Sequence, residues 1–453
     1  MKRKIMRFRG LVAVLSILVL PVLFIFAGMA IDTSRAYIVK AKMLSAVDAA
    51  GLAAARAVAN GESEGRAAAR KYFTANMPTG FYDATATLDS VTFTSDTAGN
   101  IEVDLDASAT MPTTFLKLAG ISELNPLAEA ATIRRPVDLA LVIDNSSSLF
   151  LGTDVTQDVI DRSKDFVGKF NEQFDRIALV NYAAGAQVPI SLNTTRGYNR
   201  TNVNTAINGF TFSTGGEYHY TNASEGFYLA LEQLRNASTP ANLQVIVFFT
   251  DGAPNTFASR FRVAGSDRVG AIRTSDGSSG TPNGLWRINQ MATVVSNANH
   301  GSNIDDELMS LPQYYTAHDS TATEFNVLNP LHPNRPVTQY DPDSDSAADL
   351  FVKVNRVSRN LVEDMAEAAR IADIYVFTLG LGSALTDTSG PDAEKGEDLL
   401  LRMANSPKLL DDNTLKDDYK SNQLNGVYCH AVDEDALGPC FDEMLDVIIR
   451  LTM

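Results

Sequence analysis

The chain has 453 residues and a net charge of −16, from 38 Lys and Arg against 54 Asp and Glu. Five of the basic residues (Lys2, Arg3, Lys4, Arg7 and Arg9) lie in the first ten positions, so the acidic body that follows would repel nucleic-acid phosphates. A hydrophobic share of 45% allows a true core, and two cysteines exclude both a disulfide-rich scaffold and a four-cysteine zinc site.

Leu11 to Ile31 is an uncharged, mainly apolar run that ends at Asp32. Its length matches the roughly 30 Å of a bilayer core, longer than the usual apolar stretch of a cleaved signal peptide. We read residues 1–32 as a basic cytoplasmic tail and a transmembrane anchor, with everything after Asp32 outside the cytoplasm. Thr33 to Ala59 is Ala-rich, and Ala36, Val39, Met43, Ala46, Val47, Ala50 and Ala54 recur at helical steps. One helix is expected to leave the membrane and lie on a small domain; a separate surface helix is the alternative. Ala84–Thr94 and Ile101–Thr110 alternate as a β-hairpin, with a turn over Asp96–Asn100. A short helix over Thr113–Ala119, closed by Gly120, and a strand over Leu127–Ile133 complete a pilin-like module at 33–134.

Arg9-Gly10, the apolar run with Pro21, Gly28, Asp32, Ser34-Arg35-Ala36-Tyr37 and Val47-Asp48-Ala49-Ala50 resemble the TadE/TadG-like proteins of tight-adherence (Flp) pilus assembly. Met111-Pro112-Thr113-Thr114-Phe115 and Leu118-Ala119-Gly120 extend that resemblance, which covers about residues 7–133. Processed pilin-like members carry a glutamate five residues after the cleavage glycine. Counted from Gly10 that position is Leu15, so the resemblance does not imply cleavage.

From residue 135 to 453 apolar strands alternate with amphipathic helices. Strands are expected at 137–143, 176–182, 187–192, 243–249, 374–379 and 427–431, and helices at 158–170, 224–234, 361–371, 396–404 and 434–449. This alternation predicts an α/β fold, a doubly wound and mainly parallel sheet with ligands at the carboxyl ends of its strands. Three oxygen-rich loops fall at such ends: Asp144-Asn145-Ser146-Ser147-Ser148, Thr221 before a helix, and Asp251 after a buried strand. Two carboxylates and three hydroxyls suit Mg²⁺, Mn²⁺ or Ca²⁺. A partner carboxylate or water would complete the coordination.

The loops, in this order after these elements, resemble the von Willebrand factor A domain and its metal-ion-dependent adhesion site. The resemblance assigns Asp144, Ser146, Ser148, Thr221 and Asp251 as metal ligands; Thr214 competes with Thr221. Residues 253–356 read as a long polar insertion at the rim of the site that shapes a binding surface or holds small local elements; its position favours partner recognition, and a family-specific decoration is the alternative. Asp341-Pro342-Asp343-Ser344-Asp345 imitates an EF-hand start, but Ser346 replaces the glycine and Val352 the closing glutamate. Cys429 and Cys440, outside the cytoplasm, are expected to form a disulfide. The five histidines lack metal spacing, and no nucleophile elbow, zincin or P-loop motif occurs.

Together these readings describe a non-enzymatic, single-pass protein of a bacterial inner membrane, binding a protein partner through its metal site within a pilus system. A general envelope adhesin or scaffold and a metal-dependent hydrolase are the alternatives. Neighbouring genes for a pilus ATPase and secretin would favour the first reading, and turnover lost in Asp251→Ala the last.

Overall fold

The computed structural model describes residues 9–96, 99–150, 154–212, 220–291, 293, 295, 304–328 and 334–452. The basic start up to Arg7, the middle of the 96–100 turn, the competing Thr214, and His219, His300 and His332 lie outside them. The chain forms two compact units, residues 1–134 and 135–452.

In the first unit, α1 (Arg9–Ala57) is one continuous helix, as expected, and Pro21 lies inside it. It is long and apolar enough to cross a membrane. Between Leu15 and Phe26 its large apolar side chains are mostly exposed, whereas Val39, Met43, Ala46, Val47, Ala50 and Ala54 are fully buried. That buried stripe packs on α2 (Glu62–Asn76) and on a sheet of β1 (Thr85–Ser95), β2 (Ile101–Pro112), β3 (Glu123–Leu124) and β4 (Leu127–Arg134). β2 is central, antiparallel to β1, β3 and β4. Its burial alternates strictly, which is why its period was legible. The expected helix over 113–119 is only a 3₁₀ turn, Leu116–Ala119, closed by Gly120 in the left-handed region.

The second unit is built on a six-stranded sheet. Its strands are β5 (Val137–Asp144), β6 (Arg176–Tyr182), β7 (Ala186–Ile190), β8 (Leu243–Thr250), β13 (Ile374–Leu381) and β16 (Tyr428–Ala431), in the order β16-β13-β8-β5-β6-β7. All neighbours are parallel except β7 on β6. Alternate residues of the central strands enter two cores. Ala140, Val142, Ile246 and Phe248 join α5 (Ala223–Arg235), α6 (Ala347–Ile371) and α7 (Gly396–Ala404). Leu139, Leu141, Val245 and Val247 join α3 (Thr156–Val167), α4 (Arg200–Asn208) and α8 (Leu437–Thr452). Burial on both faces explains the continuous apolar runs.

The 253–356 segment holds local elements, one of the two readings left open for it. It carries an antiparallel sheet of β9 (Thr256–Val263), β10 (Ser266–Arg273), β11 (Asn283–Trp286) and β12 (Leu308–Ser310). Its end also lies ten residues earlier, because α6 starts at Ala347. Ser346 caps that helix in a reciprocal capping box with Asp349. The EF-hand-like residues form the turn before this cap: Asp345 accepts from Lys353 Nζ at 2.5 Å and from Asp341 N at 2.9 Å. A two-stranded ribbon, β14 (Thr388–Ser389) and β15 (Glu394–Lys395), precedes α7. Cys429 and Cys440 are joined by a disulfide with Cα atoms 5.5 Å apart, tying α8 to β16.

Candidate metal centre

β5 and β8 lie side by side in parallel register, so Asp144 at the end of one and Asp251 just after the other share the carboxyl edge of the sheet. Asp144 Oδ1 accepts the Ser146 amide at 2.8 Å, which curls the loop back over its own carboxylate. Ser146 Oγ and Ser148 Oγ lie 2.8 Å apart, and Ser148 Oγ donates to Asp251 Oδ1 at 2.8 Å. Alternate side chains of the first loop therefore converge on the third loop, as the D-x-S-x-S spacing predicts.

Thr221 enters from the turn before α5. Its amide donates to Asn255 Oδ1 at 2.9 Å, and Asn255 N returns a bond to the Thr221 carbonyl at 3.2 Å. A Cβ placed on Gly252 would stand 3.6 Å from Thr221 Oγ1, so that hydroxyl faces the backbone beside Asp251. Asn222 caps α5 by accepting from Glu225 N.

Several supporting residues were missed in the sequence. Thr250 Oγ1 donates to Asp144 Oδ2 at 2.6 Å, and Tyr182 Oη to the same oxygen at 3.3 Å. Gly226 is required here, since a Cβ would come within 2.7 Å of the Tyr182 ring. The insertion braces the Thr221 turn through Asn255 and through Arg273. The Arg273 guanidinium lies 3.7 Å from the Tyr220 ring centre and 3.8 Å from that of Trp286. One turn into α5, the buried Glu225 accepts from Tyr315 Oη at 2.6 Å and pairs with His318 Nε2 at 2.6 Å. Thr250 stood in plain sight beside Asp251; the others gave no local signal, because their contacts are long-range.

The electrostatics favour a cation. Burial, then the negative charge of Asp144, push the Asp251 carboxyl up to about 8, against the hydrogen bond from Ser148. Burial raises Asp144 as well, despite bonds from Thr250, Ser146 and Tyr182. Among the described residues neither carboxylate has a Lys, Arg or His ion-pair partner. Two buried carboxylates left unneutralised beside three hydroxyls fit a hard divalent ion. No group of three or more His, Cys, Asp or Glu that could hold a metal occurs among the described residues, so this donor set relies on hydroxyls.

The match to known families follows this geometry. Residues 138–300 match the von Willebrand factor type A domain. The second unit is a von Willebrand factor A fold. Residues 10–57 match the Flp pilus-assembly TadE/G-like family, so the chain joins a TadE/G-like N-terminal segment to an A domain. No curated protein matches the chain. Among solved structures, it is similar to the pilus adhesin SpaC of Lactobacillus rhamnosus GG (14% identity over 81% of this chain and 34% of that one, TM-score 0.40). The vWF domain of the type V pili tip protein Mfa5 of Porphyromonas gingivalis is another (14%, 71% and 98%, TM-score 0.38). A third is proximal thread matrix protein 1 of the mussel byssus (14%, 69% and 46%, TM-score 0.35). The chain thus spans about half the length of the mussel protein, for which a further structure has a zinc-occupied MIDAS motif.

Proposed function

We propose that this chain is a membrane-anchored, non-enzymatic component of Flp-type pilus assembly or adhesion, whose A domain binds a protein partner through a divalent cation. Asp144, Ser146, Ser148, Thr221 and Asp251 would hold Mg²⁺, Mn²⁺ or Ca²⁺, which would supply a coordination position for a carboxylate of the partner. The observation that carries this reading is the pair of buried carboxylates, bonded to serine and threonine hydroxyls and, among the described residues, without a cationic side chain to neutralise them. The insertion, braced against the Thr221 turn through Asn255 and Arg273, frames the rim that such a partner would meet. The anchor α1 would place residues 1–10 in the cytoplasm of a bacterial inner membrane and the A domain in the periplasm or beyond.

The test is cross-linking in native envelopes with Mg²⁺ or a chelator, for wild type and Asp251→Ala. The reading expects one adduct with a pilus or envelope component, lost with chelator and in the variant. An adduct of equal yield in all samples contradicts recognition through a metal. Protease added to spheroplasts should digest the chain beyond Asp32; full protection of the A domain contradicts the orientation.

A further inference from the structure

The tip of the hairpin between β2 and β3 descends along α1 toward its apolar half. Pairing of Met111 with Leu124 and Pro112 with Glu123 continues in the bond from Thr113 N to Ser122 O, 3.0 Å. Beyond it the chain meets Asp32, the first charged residue after the apolar run. Asp32 Oδ1 accepts the amide of Thr114 at 3.0 Å, and Oδ2 those of Phe115 and Leu116 at 2.9 Å each. Arg35, on the far side of Asp32, holds Thr114 Oγ1 at 2.7 Å. Phe115 reaches the other way, one turn into the apolar run, and seats on Gly28. A Cβ on Gly28 would fall 2.1 Å from the Cβ of Phe115, so only glycine admits this contact.

The tip is thus pinned at the level where the apolar run ends. It closes on itself through Ile121 N to Leu116 O at 3.1 Å, with Leu116 buried. Leu118 and Ile121 nevertheless point outward, 68% and 44% exposed, and Lys117 beside them is exposed too. Tyr37 and Tyr82 are exposed near the same level, the latter with its carbonyl on Arg35. Apolar tips, tyrosines and a lysine gathered around a helix where its apolar run stops is the pattern of a bilayer–water boundary.

We propose that residues 114–121 form an interfacial docking loop that lies in the headgroup boundary of the bilayer, with Leu118 and Ile121 inserted. This rests on the reading that α1 spans the membrane. The occupant of the exposed apolar tip is lipid, because the loop is fastened to the segment that would itself be in lipid. Its consequence is mechanical: Asp32 and Gly28 tie the loop to the anchor, so the first unit meets the membrane at two points and cannot swing freely about α1.

The test uses the full chain in phosphatidylethanolamine–phosphatidylglycerol vesicles, with the native cysteines in their disulfide. An environment-sensitive fluorophore is placed singly through Leu20→Cys, Leu118→Cys, Ile121→Cys or Glu64→Cys. The proposal expects blue-shifted emission at positions 118 and 121, with loss of intensity when lipids carry a nitroxide near the headgroup. Position 20 should be quenched by a mid-chain nitroxide and position 64 by neither. If position 20 is quenched while 118 and 121 emit like 64, the loop faces water and the proposal is overturned, with the anchor intact. A blue shift at 118 and 121 without lipid quenching, which fades on dilution with lipid, assigns the tip to a second copy and overturns it too. If position 20 escapes quenching, the anchor reading fails and the proposal falls with it.

Discussion

Asp138 is the one charge in the first strand of the A domain before its terminal Asp144, and its surroundings explain why it is tolerated. It is fully buried and accepts from Arg176 Nε at 2.8 Å and Nη2 at 2.6 Å, from Arg196 at 2.6 Å and from Ala241 N at 2.7 Å. Removing one member of such a cluster leaves an uncompensated buried charge, so Asp138→Asn should cost about 3–5 kcal/mol in denaturant unfolding. His318 makes a pH-dependent counterpart. Burial acts to lower its pKa, but the hydrogen bond and charge of Glu225, with Glu232 adding, raise it above 6.5; the Tyr228 ring stacks on it. A raised histidine contributes stability that is fully present below the unfolded value of 6.5 and is lost as pH rises through the folded one. The unfolding midpoint of His318→Gln should therefore fall furthest below wild type in acid and approach it in alkali. A difference that grows with pH contradicts the pairing. At this scale the loops that carry the five proposed ligands could be named from the sequence, because two of them follow apolar strands and the third precedes an amphipathic helix. Thr250, Tyr182, Asn255 and Glu225 could not, since each looks like an ordinary strand or turn residue until the fold brings it to its partner.

At the scale of elements, legibility followed burial. β5 and β8, covered on both faces, are unbroken apolar runs, and β2 alternates because one face is covered. α2 and α4 were missed, α2 because little but Ala69 and Phe73 marks its buried face and α4 because it is short and largely polar. The first ten residues of α6 were assigned to the insertion because an Asp- and Ser-rich turn precedes them. Ser346 with Asp349, and Leu350, Phe351, Val354 and Val357 behind them, carried the signal for its true start. The β9–β12 sheet was hidden by the arginines and Asp267 that interrupt β9 and β10, by the shortness of β11 and β12 and by the long polar connections after β10. α8 is the last helix, and its disulfide to β16 closes a small loop. Reduction should lower stability by about 2–3 kcal/mol, read as an earlier unfolding transition with reductant. Replacing both cysteines by serine should reproduce that shift; no change in either case contradicts a stapling role.

For the whole molecule, the chain divides into two units: a TadE/G-like helix with a small sheet, and an A domain with its own two cores. The acidic balance keeps the body soluble and makes a cation at the sheet edge the expected counter-charge for Asp144 and Asp251. The sheet core does not use these side chains, so the domain should fold without metal. The most direct measurement is thermal unfolding of the chain with Mg²⁺ and with chelator, for wild type and Asp251→Ala. A cation that binds only the folded state adds about 2.7 kcal/mol at a roughly hundredfold excess over its dissociation constant. The account predicts that the wild-type A-domain transition rises with Mg²⁺, while Asp251→Ala, folded and at least as stable as wild type in chelator, does not respond. A wild-type transition indifferent to millimolar Mg²⁺, Mn²⁺ and Ca²⁺ would contradict it.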